Sequence, residues 1–178
     1  MIAGPNGSGK STITQQVAFE GCERLLDPDV IARRLNPGNP RAAAVAAARY
    51  ILMRKTEYLD QEVSFAIETT LSGRGSNALI RQARSRGYAI HLMFIGLDTP
   101  ERCITRIRNR TASGGHFVPD ADVRRRYARS IANAYRIFRF ADIAKFYDNS
   151  SDHAQLVLAA KAGTILWQAQ PGPGWLCL

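Results

Sequence analysis

The sequence predicts an α/β protein in which helices cover a mostly parallel β-sheet in three layers. Three observations predict it. Short apolar runs alternate along the chain with longer segments of helical periodicity, as in repeated strand–helix units. A glycine-rich turn joins the first apolar run, Ile2-Ala3, directly to the first helical segment. And 178 residues, 46% apolar and 22% charged, suit one domain with a buried core rather than a disordered or fibrous chain.

Taken in order, Ile2 and Ala3 read as the end of a buried strand, short enough to raise the expectation of further residues before Met1. Ser11 to Ala18 reads as the first turns of a helix. Arg24–Asp27 is a second short strand, followed by a helix over about 30–35 that Pro37-Gly38-Asn39-Pro40 breaks. Arg41–Gln61 is alanine-rich and helical, with Ala48, Ile51 and Leu52 on one face. Ser64–Thr69 is a third strand. A helix containing Leu79–Arg86 stops at Gly87, and Tyr88–Gly96 is the clearest buried strand. Pro100 starts a helix that runs to about Arg110. After the loop Ala112-Ser113-Gly114-Gly115-His116, another helix begins at Asp120 or Asp122 and continues through Tyr135. Ala144–Tyr147 is a fifth strand, and Gln155–Ala159 with Thr164–Gln168 reads as a C-terminal β-hairpin around Lys161-Ala162-Gly163. One domain over 1–170 and a loose tail over 171–178, opened by Pro171-Gly172-Pro173-Gly174, are expected.

Composition narrows the function classes. Twenty-four bases against fifteen acids give +9 at neutral pH, and twenty of the bases are arginine. Ten of those arginines fall between Arg102 and Arg139. Arginine is the better bidentate partner for phosphate, but such an excess also fits a solvated surface or nucleic-acid binding. No aromatic-interleaved basic stripe and no helix-turn-helix pattern supports nucleic acid as the partner. No apolar run approaches the roughly 20 residues of a membrane helix. No charged segment followed by an apolar run opens the chain, so no secretory signal is expected. Cys22, Cys103 and Cys177 form no CxxC, which fits a reducing cytoplasm.

The chemistry starts at Gly4-Pro5-Asn6-Gly7-Ser8-Gly9-Lys10-Ser11, which fits G-x-x-x-x-G-K-[ST] without a mismatch. In such a P-loop the glycines turn successive N–H groups inward around a phosphate. Lys10 places a charge on the outer phosphate oxygens, Ser11 can ligate Mg²⁺, and the helix that follows adds its positive end. Asn6, Gly7, Ser8, Gly9, Lys10, Ser11 and Thr12 are therefore the expected ATP-binding residues. ATP is preferred over GTP because no N-K-x-D pattern is present.

Two P-loop readings compete. Leu71-Ser72-Gly73-Arg74-Gly75 faintly matches a transporter-ATPase signature, but no Asp-Glu pair ends the strand at Asp98. A small-molecule kinase fits better. Arg106 and Arg110 share one helix face, and a glycine-rich loop and a second arginine-bearing helix follow, as in a lid over about 110–130. His116 reads as a loop anchor rather than a metal ligand, and His91 and His153 carry no signal. A base for an acceptor hydroxyl should stand beyond a strand's C-terminal end. Asp27-Pro28-Asp29 and Glu68-Thr69-Thr70 offer carboxylates there, with a helix N-cap as the competing role for Asp29.

The ordered set GPNGSGKST, LDPDVIARRLNP, FAIETTLSG, GLDTPERCITRIRNR, GGHFVP, RYARSIAN and YDNS resembles the zeta-toxin family of P-loop kinases, in its short single-domain branch often labelled as predicted ABC-type ATPases. The resemblance runs from Met1 to about Ser150. It implies a nucleotide-kinase-like P-loop NTPase fold. It also implies transfer of the ATP γ-phosphoryl, with Mg²⁺, to a hydroxyl of a nucleotide-sugar such as UDP-N-acetylglucosamine, and a small antitoxin protein as partner. By the same resemblance Asp29 is the base, and Glu68 and Thr70 contact the substrate. Arg110, Arg126 and Arg129 contact phosphate, and Asp148 and Asn149 lie near the nucleotide. The chain is much shorter than the well-studied toxins, so another small hydroxyl-bearing metabolite remains an alternative acceptor, as does a polynucleotide.

Overall fold

In a computed structural model, which describes residues 1–15, 21–73, 75–112, 115 and 117–176, seven strands form one sheet in the order β2-β3-β1-β4-β5-β6-β7. The strands are β1 (Ile2–Ala3), β2 (Leu25–Leu26), β3 (Ala66–Thr69), β4 (His91–Gly96), β5 (Ile143–Asp148), β6 (Gln155–Lys161) and β7 (Thr164–Gln168). The first five pair in parallel. β6 and β7 add antiparallel to the edge at β5, so the expected hairpin extends the sheet. The strand order reverses around β1, and the P-loop leaves the sheet at that switch point, where open α/β sheets place their ligands.

The helices are α1 (Lys10–Thr14), α2 (Pro28–Leu35), α3 (Ala44–Asp60), α4 (Gly75–Ser85), α5 (Pro100–Ala112) and α6 (Asp120–Phe138). The far end of the expected first helix lies outside the described residues, as do Arg74, Ser113, Gly114, His116 and Cys177. Thr99 accepts from the Arg102 N–H, so Pro100 sits at the first position of α5, where its missing donor is not needed. Period-two alternation on β4 sends Phe94 to one face and Ile95 to the other. Phe94 meets Phe146 at 5.2 Å between centroids, in a core closed by Leu79, Ile80 and Ala83 of α4 and Ala134, Ile137 and Phe138 of α6. Ile95 packs opposite, with Ile2, Ala66 and Ile13 of α1. No helix among the described residues is long and apolar enough to cross a membrane.

Two expectations are corrected. The buried stripe of α3 contains Ala47 and Tyr58, with Ile51 partly buried, in a cluster with Ile31 and Ala32 of α2; Ala48 and Leu52 face outward. In an alanine-rich helix both faces are apolar enough to pack, and the contact with α2 selects the register. The tail is not loose at Trp175 and Leu176, both of which are buried in the main core. The gap that receives Trp175 is made by a glycine, Gly96, far away in sequence.

Candidate active site

The P-loop hands the chain from β1 to α1 through backbone that glycine alone takes without strain. Gly9 has φ 93°, and a Cβ there would sit 2.4 Å from the Asn149 side-chain nitrogen. Lys10 is buried, and its ammonium donates to the Gly4 and Pro5 carbonyls, 2.9 Å each. Burial pushes its pKa down, while Glu68 and then Asp29 are the nearest carboxylates pulling it back up. The Ser11 hydroxyl donates to both carboxylate oxygens of Glu68, at 3.0 and 3.1 Å. Burial holds the Glu68 carboxyl above the usual range, with Lys10 and the Ser11 bond opposing and Asp27 and Asp29 adding to the rise. Asn6 Oδ1 and Ser8 Oγ are buried in this loop without a partner among the described residues, and of the two only Asn6 borders the cavity, where a bound ligand can use it.

Of the two aspartates after β2, Asp27 is the cap. Its buried carboxylate accepts from the N–H groups of Asp29 (2.8 Å) and Val30 (3.3 Å) at the start of α2. That leaves Asp29 exposed in the first turn, facing the P-loop. Glu68 arrives at the end of β3. The turn beyond it is held tightly: Leu71 is fully buried with φ 56°, in the left-handed region, and Asn133 of α6 donates to its carbonyl at 2.7 Å. Thr70, one residue earlier, lies in the same cavity wall as Glu68 and shares a 2.8 Å hydrogen bond with Ser72.

These groups line one open cavity of about 1070 Å³. That is at the upper end of single-ligand pockets and spacious enough for two substrates. Asn6, Gly7, Gly9, Lys10, Ser11 and Thr12 of the P-loop line it, together with Asp27, Asp29, Glu68 and Thr70. Arg110 and Arg126 reach it from α5 and α6, and Asn149 borders it at the P-loop. Three expected residues are placed elsewhere. Ser8 is fully buried beneath the loop. Arg129 is exposed on α6 and is not in the cavity wall. The Asp148 carboxylate turns away, accepting from Trp175 and Ser150.

A family pattern described as an AAA domain matches residues 1–134. The chain belongs to that family. An uncharacterized protein of Haemophilus influenzae is 36% identical to this AAA domain over 124 residues, which are 70% of this chain and 88% of that one. Among solved structures, AvrRxo1-ORF1 with AvrRxo1-ORF2 and sulphate ions superposes at TM-score 0.65 and 15% identity, covering 92% of this chain. This chain spans 59% of that one, and a second crystal structure of the same complex contains ATP. The PezAT chromosomal toxin–antitoxin system of Streptococcus pneumoniae matches at TM-score 0.61 and 14% identity, covering 89% of this chain and 70% of that one. A candidate kinase from Chloroflexus aurantiacus matches at 0.54 and 18% identity, covering 72% and 77%. These are likenesses of fold, and the fold is a P-loop one shared with kinases.

The cavity of this AAA domain also holds Arg33 and the run 151–153, which the sequence did not single out, and Arg106, which it did. Arg33 lies one turn beyond Asp29 on α2, an i,i+4 spacing that could have pointed to it. Arg106 enters the wall and donates to the Asn149 carbonyl at 2.8 Å. Ser151, Asp152 and His153 border the side next to Asn149; nothing in their sequence pattern marks them. Seven of the ten arginines in the arginine-rich stretch take one of two roles, and Arg126 takes both, because it also lies 3.7 Å from Asp122. Arg106, Arg110 and Arg126 line the cavity, whereas Arg102, Arg108, Arg124 and Arg125 pair with Asp98, Asp120, Glu101 and Asp122 on the surface.

Proposed function

We propose that the protein is an ATP-dependent small-molecule kinase of the zeta-toxin type, with a nucleotide-sugar such as UDP-N-acetylglucosamine as acceptor and a small antitoxin as partner. One observation carries this reading. A single cavity brings Lys10 and Ser11 of the P-loop together with carboxylates that follow two different strands, Asp29 at the start of α2 and Glu68 on β3, and with Arg33, Arg106, Arg110 and Arg126.

In this reading the P-loop and Lys10 hold the ATP phosphates, and Asp29 accepts the proton of the attacking hydroxyl. Thr70 and Glu68 orient the acceptor. Arg110 and Arg126, with Arg129 when the segment around 110–130 closes, neutralise charge on the transferring phosphoryl. The hard-oxygen pair of Ser11 and Glu68 fits Mg²⁺, which would supply charge neutralisation on the phosphates. The PezAT likeness supports the toxin–antitoxin setting.

The test is incubation with ATP, Mg²⁺ and either UDP-N-acetylglucosamine or a metabolite extract, followed by mass spectrometry. A phosphorylated acceptor is expected, absent with Asp29→Asn and Lys10→Ala. Failure to phosphorylate any small molecule, or full activity of Asp29→Asn, defeats the proposal. Labelling of an added oligonucleotide instead would move the acceptor to nucleic acid.

A further inference from the structure

The tail packs against the loop that borders the phosphate site. Trp175 is 6% exposed. Its ring meets Phe94 at a tilt of 52°, 5.7 Å between centroids, and lies so close over Gly96 that a Cβ there would come within 2.4–2.7 Å of ring atoms. The Tyr135 hydroxyl donates to the Trp175 carbonyl at 2.8 Å, which fixes the backbone as well as the ring.

The indole nitrogen then reaches across to β5. Trp175 Nε1 donates to Asp148 Oδ1 at 2.7 Å. The same oxygen accepts from the Ser150 hydroxyl, 2.8 Å, and that hydroxyl accepts from the Asp98 N–H, 2.8 Å. Asn149 sits between these two residues and joins three parts of the site. Its side-chain amide donates to the Ser8 carbonyl in the P-loop, 2.8 Å, and its N–H donates to the Gly96 carbonyl, 3.0 Å. Its own carbonyl accepts from Arg106, 2.8 Å.

We propose that Trp175 is a positioning residue for the nucleotide: by clamping Asp148 it holds Asn149 against Ser8 and Arg106, so that the P-loop and one cavity arginine are ordered before ATP arrives. The proposal rests on the reading of the P-loop as an ATP site. An indole N–H only donates, so it dictates where the carboxylate points. A hydrogen bond to a carboxylate is among the stronger ones. Order established in advance is order that binding need not impose, which tightens the complex without touching the reacting atoms.

The test is calorimetric ATP affinity for Trp175→Phe, which keeps an aromatic, though smaller, side chain and removes the donor. ATP affinity should fall about five- to tenfold, the scale of one ordinary hydrogen bond and only part of what one to a charged group is worth, because the bond acts on the nucleotide indirectly. KM for ATP should rise in step while kcat stays within about twofold. In an Asp148→Ala background the same substitution should add nothing. A second measurement leaves Trp175 intact. Trp167→Phe makes Trp175 the sole tryptophan, and its emission should be that of a buried indole without ATP and stay so when ATP saturates the site. Wild-type affinity in Trp175→Phe, multiplied losses in the double variant, or a solvent-exposed Trp175 emission that ATP shifts to that of a buried indole would overturn the proposal alone, provided that wild type binds ATP and Lys10→Ala does not. A wild type that fails to bind ATP overturns the nucleotide reading, and this proposal with it.

Discussion

Glu68→Gln should separate stability from activity in opposite directions. In the folded protein the Glu68 carboxyl sits above its ordinary pKa, chiefly because burial disfavours the charge. The folded state therefore keeps a proton that the unfolded chain has lost. Stability is fullest below the ordinary carboxylate range and declines as pH rises through the folded pKa. Glutamine cannot ionise, yet it keeps an acceptor for the Ser11 hydroxyl, which now donates to both Glu68 oxygens. Each pKa unit of penalty removed is worth about 1.4 kcal/mol. In a chain of this size each 1 kcal/mol moves Tm by roughly 2–4 °C. Against that gain stands the weaker, neutral bond to Ser11, a loss of about 1 kcal/mol. Melts by circular dichroism from about pH 4 to pH 8 should show the variant level with or below wild type at the acid end and above it at the neutral end. Phosphoryl transfer should fall about 100-fold or more, as for other preorganised polar groups of a site. A variant with the same pH slope as wild type, or less stable at neutral pH, would refute the reasoning.

Other substitutions test the supports of the site. Gly96→Ala forces a methyl into the Trp175 ring and should cost about 1–3 kcal/mol in urea unfolding, as overpacking does. Asp27→Ala removes the cap of α2 and should cost about 0.5–2 kcal/mol, with Asp27→Asn recovering most of it. Burial pushes the Cys103 thiol up to about 12, so alkylation at about pH 8 followed by peptide mapping should label exposed Cys22 and spare Cys103 until the protein unfolds.

What could be read from the sequence was what local rules govern. The P-loop declares itself because its pattern is contiguous, eight successive residues that fit without a mismatch. The hairpin over Gln155–Lys161 and Thr164–Gln168 declares itself through its turn. The division of labour between Asp27 and Asp29 was not readable, since either could cap a helix; both border the cavity, but the backbone gives the cap to a buried Asp27 and leaves Asp29 exposed. The tail failed for a different reason. Pro171-Gly172-Pro173-Gly174 is loop composition, and what orders Trp175 is a glycine gap on β4 and an acceptor on β5. Asp148 and Asn149 are adjacent in sequence, yet strand alternation points only Asn149 at the cavity. The arginines show the same limit: charge density marked the stretch, but helix phase chose Arg106, Arg110 and Arg126 from it.

Phosphorus NMR of the purified protein with ATP, Mg²⁺ and a small-metabolite extract tests the central claim most directly, because it follows every phosphoryl group at once. The account predicts ADP together with a new phosphate-ester resonance, and loss of both with Asp29→Asn. ADP with inorganic phosphate alone, or unchanged ATP, would contradict it.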